Sequence, residues 1–228
     1  MKMTGDFVRC SRVLMLVACF SATSLPLVVA APAAAKELAS EQGVTGLVRD
    51  LSMMKSFNAT FHQWVSDAQN HVLQEVTGTM WVQRPGLFRW DTNDPYPQQI
   101  ISDGEVLWIY DLDLEQATKR KLDKQVGNTP ALLLSGDPEK LAESFTVRAS
   151  MYEETGEVRY DLIPKHKGAL FELLRVHFRS GKIHDMFLRD NLGQTTRIEF
   201  ETKAFNKPID AKVFAFKPPK GVDVIEDM

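Results

Sequence analysis

The sequence is poor in cysteine. Its 228 residues hold two, Cys10 and Cys19, and both fall in the first 35. Residues 36–228 therefore hold no disulfide, no thiol nucleophile and no thiolate metal site. A large excess of charge of either sign is also missing. The 27 basic and 30 acidic residues give a formal net charge of −3, which argues against a dedicated nucleic-acid binder, normally a basic protein. Mean hydropathy of −0.20 argues against a polytopic membrane protein. The phosphate-cradling patterns G-x-x-x-x-G-K-[ST] and G-x-G-x-x-G are absent, and so is the G-x-S-x-G nucleophile elbow. The histidines His62, His71, His166, His177 and His184 show no ligand spacing, so neither a metal nor another cofactor is expected. No convergent polar constellation can be named, and an enzyme is not expected. No internal repeat, Gly/Ser-rich linker or low-complexity tract follows residue 35, so one domain over 36–228 is the simplest account.

The first 35 residues differ from the rest. Lys2, Arg9 and Arg12 make a basic start, an apolar run extends from Val13 to Ala30, and Ala30-Ala31-Pro32-Ala33-Ala34-Ala35 follows. A basic region, an apolar region and an A-x-A-like end define a cleavable export signal. Cleavage after Ala35 and after Ala30 both satisfy the pattern. Pro26 and the polar Ser21, Thr23 and Ser24 interrupt the apolar run, which disfavours a membrane anchor. Leu16-Val17-Ala18-Cys19 is a competing lipidation pattern, but the apolar run continues well beyond Cys19. Without the first 35 residues, 193 remain, with 24 basic and 29 acidic residues and a formal net charge of −5. A chain of that length can build a core without disulfides.

Val44, Leu47, Val48, Leu51 and Met54 form one stripe of helical period, which predicts a helix over 36–56, weakened at its start by Gly43 and Gly46. From Phe57 the pattern becomes short alternating runs. They are separated by Asp103-Gly104, Thr155-Gly156, Lys165-His166-Lys167-Gly168, Ser180-Gly181 and Asn191-Leu192-Gly193. A strand every 8–12 residues or so predicts an antiparallel sheet large enough to curl. Leu174, Val176 and Phe178 alternate with polar residues, as do Thr196, Ile198 and Phe200. Between Val106 and Tyr110 both parities are apolar, so that strand needs apolar cover on both faces. Lys119-Arg120-Lys121 reads as a solvated strand edge, and His177 and His184 as surface residues. Asn58-Ala59-Thr60 is a formal glycosylation acceptor.

Mid-chain, Thr129-Pro130 can open a short helix through Ala131, Leu132, Leu133 and Leu134, which Gly136 can stop. Asp137-Pro138 then opens another to about Ser144. Three consecutive leucines point about 100° apart, so this helix is either a buried core helix or a cover over something not always present. The segment Met80–Asp91 concentrates Trp81, Phe88 and Trp90 around Arg84 at a Pro-Gly turn. With Val48, Met54, Phe61, Trp108, Tyr110 and the leucine helix, it supplies more apolar surface than one sheet face needs. A lidded apolar pocket would use that surface. Arg84 would then seek helix C-terminal carbonyls, a latch for the lid.

The run Gly78-Thr79-Met80-Trp81-Val82-Gln83-Arg84-Pro85-Gly86-Leu87-Phe88-Arg89-Trp90 resembles the hallmark segment of the outer-membrane lipoprotein carrier family, LolA. Further matches follow in order. They are Ser56–Gln63, Ser102-Asp103-Gly104, Leu107–Asp111, Glu115-Gln116-Ala117-Thr118, Gly127-Asn128-Thr129-Pro130 and Phe214–Val222. The resemblance spans about 44–225. It implies a mainly β (α+β) fold, an incomplete, curved antiparallel β-barrel with a helical lid over a hydrophobic cavity. It implies a monomeric periplasmic chaperone that takes lipoprotein cargo from an inner-membrane ABC-type releasing complex to an outer-membrane lipoprotein receptor. The latch it implies is Arg84 against lid positions Leu51, Leu134 and Ser135. The family is often bulkier where this chain has Ala131. The receptor, of similar fold, is the alternative reading, but it lacks the R-P-x-x-F-x-W run. A general periplasmic binder of small apolar ligands is the other.

Overall fold

A computed structural model describes residues 35–93, 95–122 and 134–227. Thirteen strands form one sheet. They are β1 (Lys36–Leu38), β2 (Ser56–Ser66), β3 (Val72–Gln83), β4 (Leu87–Thr92), β5 (Gln98–Asp103), β6 (Val106–Asp111), β7 (Gln116–Lys121), β8 (Phe145–Tyr152), β9 (Glu157–Pro164), β10 (Phe171–Arg179), β11 (Lys182–Asp190), β12 (Thr195–Phe205) and β13 (Asp223–Asp227). Their order is β1-β8-β9-β10-β11-β12-β2-β3-β4-β5-β6-β7-β13. Neighbours are antiparallel except β13, which runs parallel to β7. The two edges, β1 and β13, do not pair, so the curved sheet stays open. β13 also covers β7, so Lys119–Lys121 is not the edge expected from its charge. Lys119 instead pairs with Glu226 at 3.1 Å.

Alternation decides which side chains face inward. Phe57, Ala59 and Phe61 on β2 stand opposite Val82, Met80 and Gly78 on β3. Val82 and Met80 in turn oppose Phe88 and Trp90 on β4. Leu162 and Tyr160, Leu174 and Val176, Met186, Ile198 and Phe200 extend the same concave face through β9 to β12. The predicted turns form, with positive φ at Gly104, Gly156, Gly168, Gly181 and Gly193.

The α-helices of the described residues are α1 (Ser40–Met53) and α2 (Pro138–Ser144). α1 begins later than its sequence period suggests, because Lys36–Leu38 extend along β8 as β1 and use its hydrogen-bonding edge. Leu47, Leu51 and Met54 lie buried in the concave face's core. Gly43 and Gly46, unfavourable for helix propensity, allow close docking. A Cβ on Gly43 would stand 3.2 Å from the Ala149 Cβ, and one on Gly46 only 2.8 Å from the Tyr160 hydroxyl. α2 starts where expected. The Asp137 carboxylate accepts from the amides of Glu139 and Lys140, and Pro138 fills the first turn. The predicted leucine helix falls mostly outside the described residues, with only Leu134 and Ser135 inside, both buried.

Candidate functional site

The concave face is apolar and filled by the protein's own helices. Phe61 stacks on Trp90 with ring centroids 3.6 Å apart, and Phe88 lies 6.4 Å from Trp90 on the same face. Phe61 reaches Trp90 across Gly78, where any Cβ would come within 2.4 Å of the Phe61 ring. Leu47, Leu51, Met54 and Leu134 complete this buried cluster. Val48, on the same helix, is half-buried. Leu132 and Leu133 lie outside the described residues.

Three aromatics expected in the cavity face the other way. Trp81 stands opposite Arg89, one residue out of phase with Phe88 and Trp90, and the Arg89 guanidinium lies 5.8 Å from its ring centre. Trp108 and Tyr110 pair through Ile101 and Gln99 with Arg89 and Asp91, on the same outer face. There the C-terminal segment covers them. Phe216 lies 5.3 Å from Trp108 and 5.5 Å from Tyr110, and Phe214 is buried. The concave side of β6 is supplied by Leu107 and Ile109, which pack against the core. Cover on both faces, expected for this strand, is therefore present. The parity was open in the sequence because both faces of β6 are apolar.

The turn Arg84-Pro85-Gly86 meets both lid pieces. Its Arg84 amide donates to the Lys55 carbonyl at the end of α1, 2.9 Å away. Its Gly86 amide donates to the Ser135 carbonyl, also at 2.9 Å, and Arg84 Nη1 donates to the Gly136 carbonyl. Gly86 has φ of +76°, and a Cβ there would stand 2.9 Å from Gly104 Cα, so glycine suits the turn on both counts. The guanidinium thus engages the residue after Ser135. The Leu51 carbonyl, implied above as a latch position, accepts from the Met54 amide at 3.2 Å. Burial pushes the Arg84 pKa down to about 10, against the opposing pull of the Asp137 charge. It remains a cation at neutral pH, yet its Nε and Nη2 are buried without a hydrogen-bond partner among the described residues. Buried N–H groups left so cost free energy, which offsets part of what the Gly136 contact contributes.

α1 is held more firmly. The Tyr160 hydroxyl donates to the buried Asp50 carboxylate at 2.6 Å, and Arg49 pairs with the same carboxylate at 2.8 Å. Burial and the bond to Asp50 push the Tyr160 pKa well above the usual phenol range. At the end of the helix, the Asn206 side chain accepts from the Lys55 amide and donates to the Met53 carbonyl, each at 2.8 Å. Asn206 sits at φ of +53°, which asparagine tolerates. Neither Tyr160 nor Asn206 carried a sequence signal. Their roles depend on contacts 110 and about 150 residues away in the chain.

The arrangement offers an apolar, buried interior. Among the described residues no group of three His, Cys, Asp or Glu side chains could hold a metal ion. His177, expected at the surface, is largely enclosed between Asp185 at 2.9 Å and Glu157 at 3.3 Å. Among the described residues no helix is long and apolar enough to cross a membrane.

An open antiparallel sheet curled around an apolar interior, with its own helices as filling, defines a lidded half-barrel. Residues 52–217 match the family described as outer membrane lipoprotein carrier protein LolA. An outer-membrane lipoprotein carrier protein from Pseudomonas aeruginosa is 46% identical over 194 residues, 85% of this chain and 90% of that protein. One from Hahella chejuensis is 43% identical over 201 residues, covering 88% and 96%. An uncharacterized conserved protein from Thermus thermophilus superposes with a TM-score of 0.49 at 13% identity, covering 82% of this chain and 99% of that one. The chain belongs to the LolA family of outer membrane lipoprotein carrier proteins.

Proposed function

We propose that this chain is a periplasmic carrier that shields the acyl chains of lipoproteins. It would move them from an inner-membrane ABC-type releasing complex to an outer-membrane receptor. Residues 1–35 would be its removable export signal. The observation that carries the reading is the filled concave face. Leu47, Leu51, Met54 and Leu134 occupy the interior over Phe61, Phe88 and Trp90, beside the Arg84 turn.

Burying acyl chain contributes about 0.8 kcal/mol per CH₂. A lipoprotein therefore cannot cross water with its chains bare. A carrier must cover them and still release them. A lid whose leucines fill the interior when cargo is absent offsets part of the cargo's binding energy when it is displaced. Transfer then needs neither catalysis nor a cofactor. Arg84 is the lid's fastening in this proposal, through the Gly136 carbonyl and the neighbouring Gly86–Ser135 bond.

The test is release of radiolabelled lipoprotein from spheroplasts on adding the protein purified after export. Wild type should release soluble cargo, and mass spectrometry of the complex should find triacylated lipoprotein. No release, or free lipid as the only cargo, would overturn the reading. Arg84→Leu should keep the wild-type fold but alter loading or onward transfer. Wild-type transfer by that variant would remove Arg84 from the mechanism.

A further inference from the structure

The pairing registers assign every hairpin turn among the described residues to one of two ends of the sheet. Turns 84–86, 104–105, 153–156 and 180–181 share the end that carries Arg84. They read Arg-Pro-Gly, Gly-Glu, Glu-Glu-Thr-Gly and Ser-Gly, with no large apolar side chain. The opposite end has five turns, and each presents at least one exposed large apolar residue. Val72 and Leu73 follow the β2–β3 turn, Tyr96 lies between β4 and β5, and Leu114 between β6 and β7. Leu170 lies between β9 and β10, and Leu192 between β11 and β12. Leu192 is 88% exposed and Leu114 70%. Of the other exposed large apolar side chains among the described residues, Leu112 joins this rim, Met53 ends α1, and Val224 and Ile225 lie on edge strand β13.

Single exposed leucines need no explanation. Their segregation among the hairpin turns of the described residues does; Met53, at the Arg84 end, belongs to α1 and not to a turn. We infer that this rim is a docking surface for a phospholipid bilayer, entered by the turn tips and centred on Leu170 and Leu192. This goes beyond carriage of cargo and requires none to be bound.

Three observations favour a bilayer over a protein groove. The apolar side chains are spread one or two per turn along an arc rather than gathered into one patch, which suits a planar, fluid surface. In three of the five turns an aspartate satisfies part of the turn's own backbone, as depletion of water favours. The Asp190 carboxylate accepts from the amides of Leu192 and Gln194, both at 2.8 Å. That of Asp67 accepts from Gln69 and His71, both at 2.9 Å, and that of Asp111 from Leu114 at 3.0 Å. The turns also brace one another, for Asn191 Nδ2 donates to the Ala169 carbonyl at 2.6 Å. Finally, the exposed Lys165, His166 and Lys167 lie three to five residues before Leu170 in the same turn, so this part of the rim presents cations to headgroup phosphates. Asp113 and Glu115 give the Leu114 turn the opposite sign, which sets the centre of contact at Leu170 and Leu192. Tyr96 is of the residue type that settles at a membrane interface.

The test is flotation of the protein, purified after export and free of cargo, with vesicles of phosphatidylethanolamine and phosphatidylglycerol. Wild type should float, less well as salt rises. The double change Leu170→Ser with Leu192→Ser should cut vesicle partitioning about tenfold or more while leaving the far-UV spectrum and melting point unchanged. Glu154→Ser, at the opposite end, should float like wild type. In a Tyr96→Trp variant, difference emission against wild type should shift to the blue on adding vesicles. That readout decides the matter even if the double variant folds poorly. Absence of flotation, or equal flotation by the double variant, overturns the inference. A wild type that is dimeric and a double variant that is monomeric would overturn it in favour of a second copy of the chain.

Discussion

The Asp50–Tyr160 contact makes a quantitative prediction, because a glycine has been placed against it. Tyr160→Phe removes the hydroxyl that donates to Asp50 at 2.6 Å and keeps the ring, which meets Phe178 edge-on at 5.7 Å. A hydrogen bond to a charged group contributes about 1.5–3 kcal/mol. Asp50 retains Arg49 at 2.8 Å, so the loss belongs near the lower figure. The melting point should fall by about 3–6 °C for a chain of this size. Gly46→Ala supplies the second arm. In the wild-type background the new Cβ would stand 2.8 Å from the Tyr160 hydroxyl, but 3.5 Å from the nearest ring carbons. The usual gain of about 1 kcal/mol for alanine over glycine inside a helix is then cancelled by that clash. In the Tyr160→Phe background only the ordinary 3.5 Å contacts remain, and the gain should appear. Urea unfolding at equal m-values should therefore show a coupling of about 1 kcal/mol or more between the two changes. The pH dependence adds a further check. The unfolded chain loses its tyrosine proton near pH 10, while folded Tyr160 keeps it. Wild-type stability from this group is thus full below that pH and falls above it. The gap to Tyr160→Phe should narrow in the alkaline range. Effects that add within about 0.4 kcal/mol would refute the reasoning.

Two other expectations are simpler. Leu134→Ala should lower unfolding stability by about 2–4 kcal/mol, since the side chain is buried against the core. It should also raise affinity for cargo acyl chains, because less lid packing must be displaced; weaker cargo retention in a pull-down would contradict this. Phe216→Ala should uncover Trp108 on the outer face and shift tryptophan emission to the red, with no change in cargo loading. Lost loading with unchanged emission would mean that Trp108 serves the interior after all.

Much of the fold was legible in the chain. Alternation in Leu174–Phe178 and Thr196–Phe200, and glycine at the hairpin turns, gave strands and turns where they are found. The start of α2 was legible because Asp137-Pro138 is a local capping signal. The start of the first helix was not legible, since Lys36–Leu38 extend only because the edge of β8 is there to pair with. Among the aromatics, Phe61, Phe88 and Trp90 share the concave core. The faces of Trp81, Trp108 and Tyr110 were not legible, because residue type alone does not give a face.

The sequence by itself determined the periods, the turns and the supply of apolar surface, because these depend on residues near one another in the chain. It also specified the carrier family, through an ordered series of short segments around Arg84-Pro85. Only the tertiary structure decided which parity of β6 looks inward. A strand of period two has a face wherever polar and apolar residues contrast, and Leu107–Tyr110 offers no contrast. There the choice was made by Phe216, more than a hundred residues later, settling on Trp108 and Tyr110 and leaving Leu107 and Ile109 to the interior.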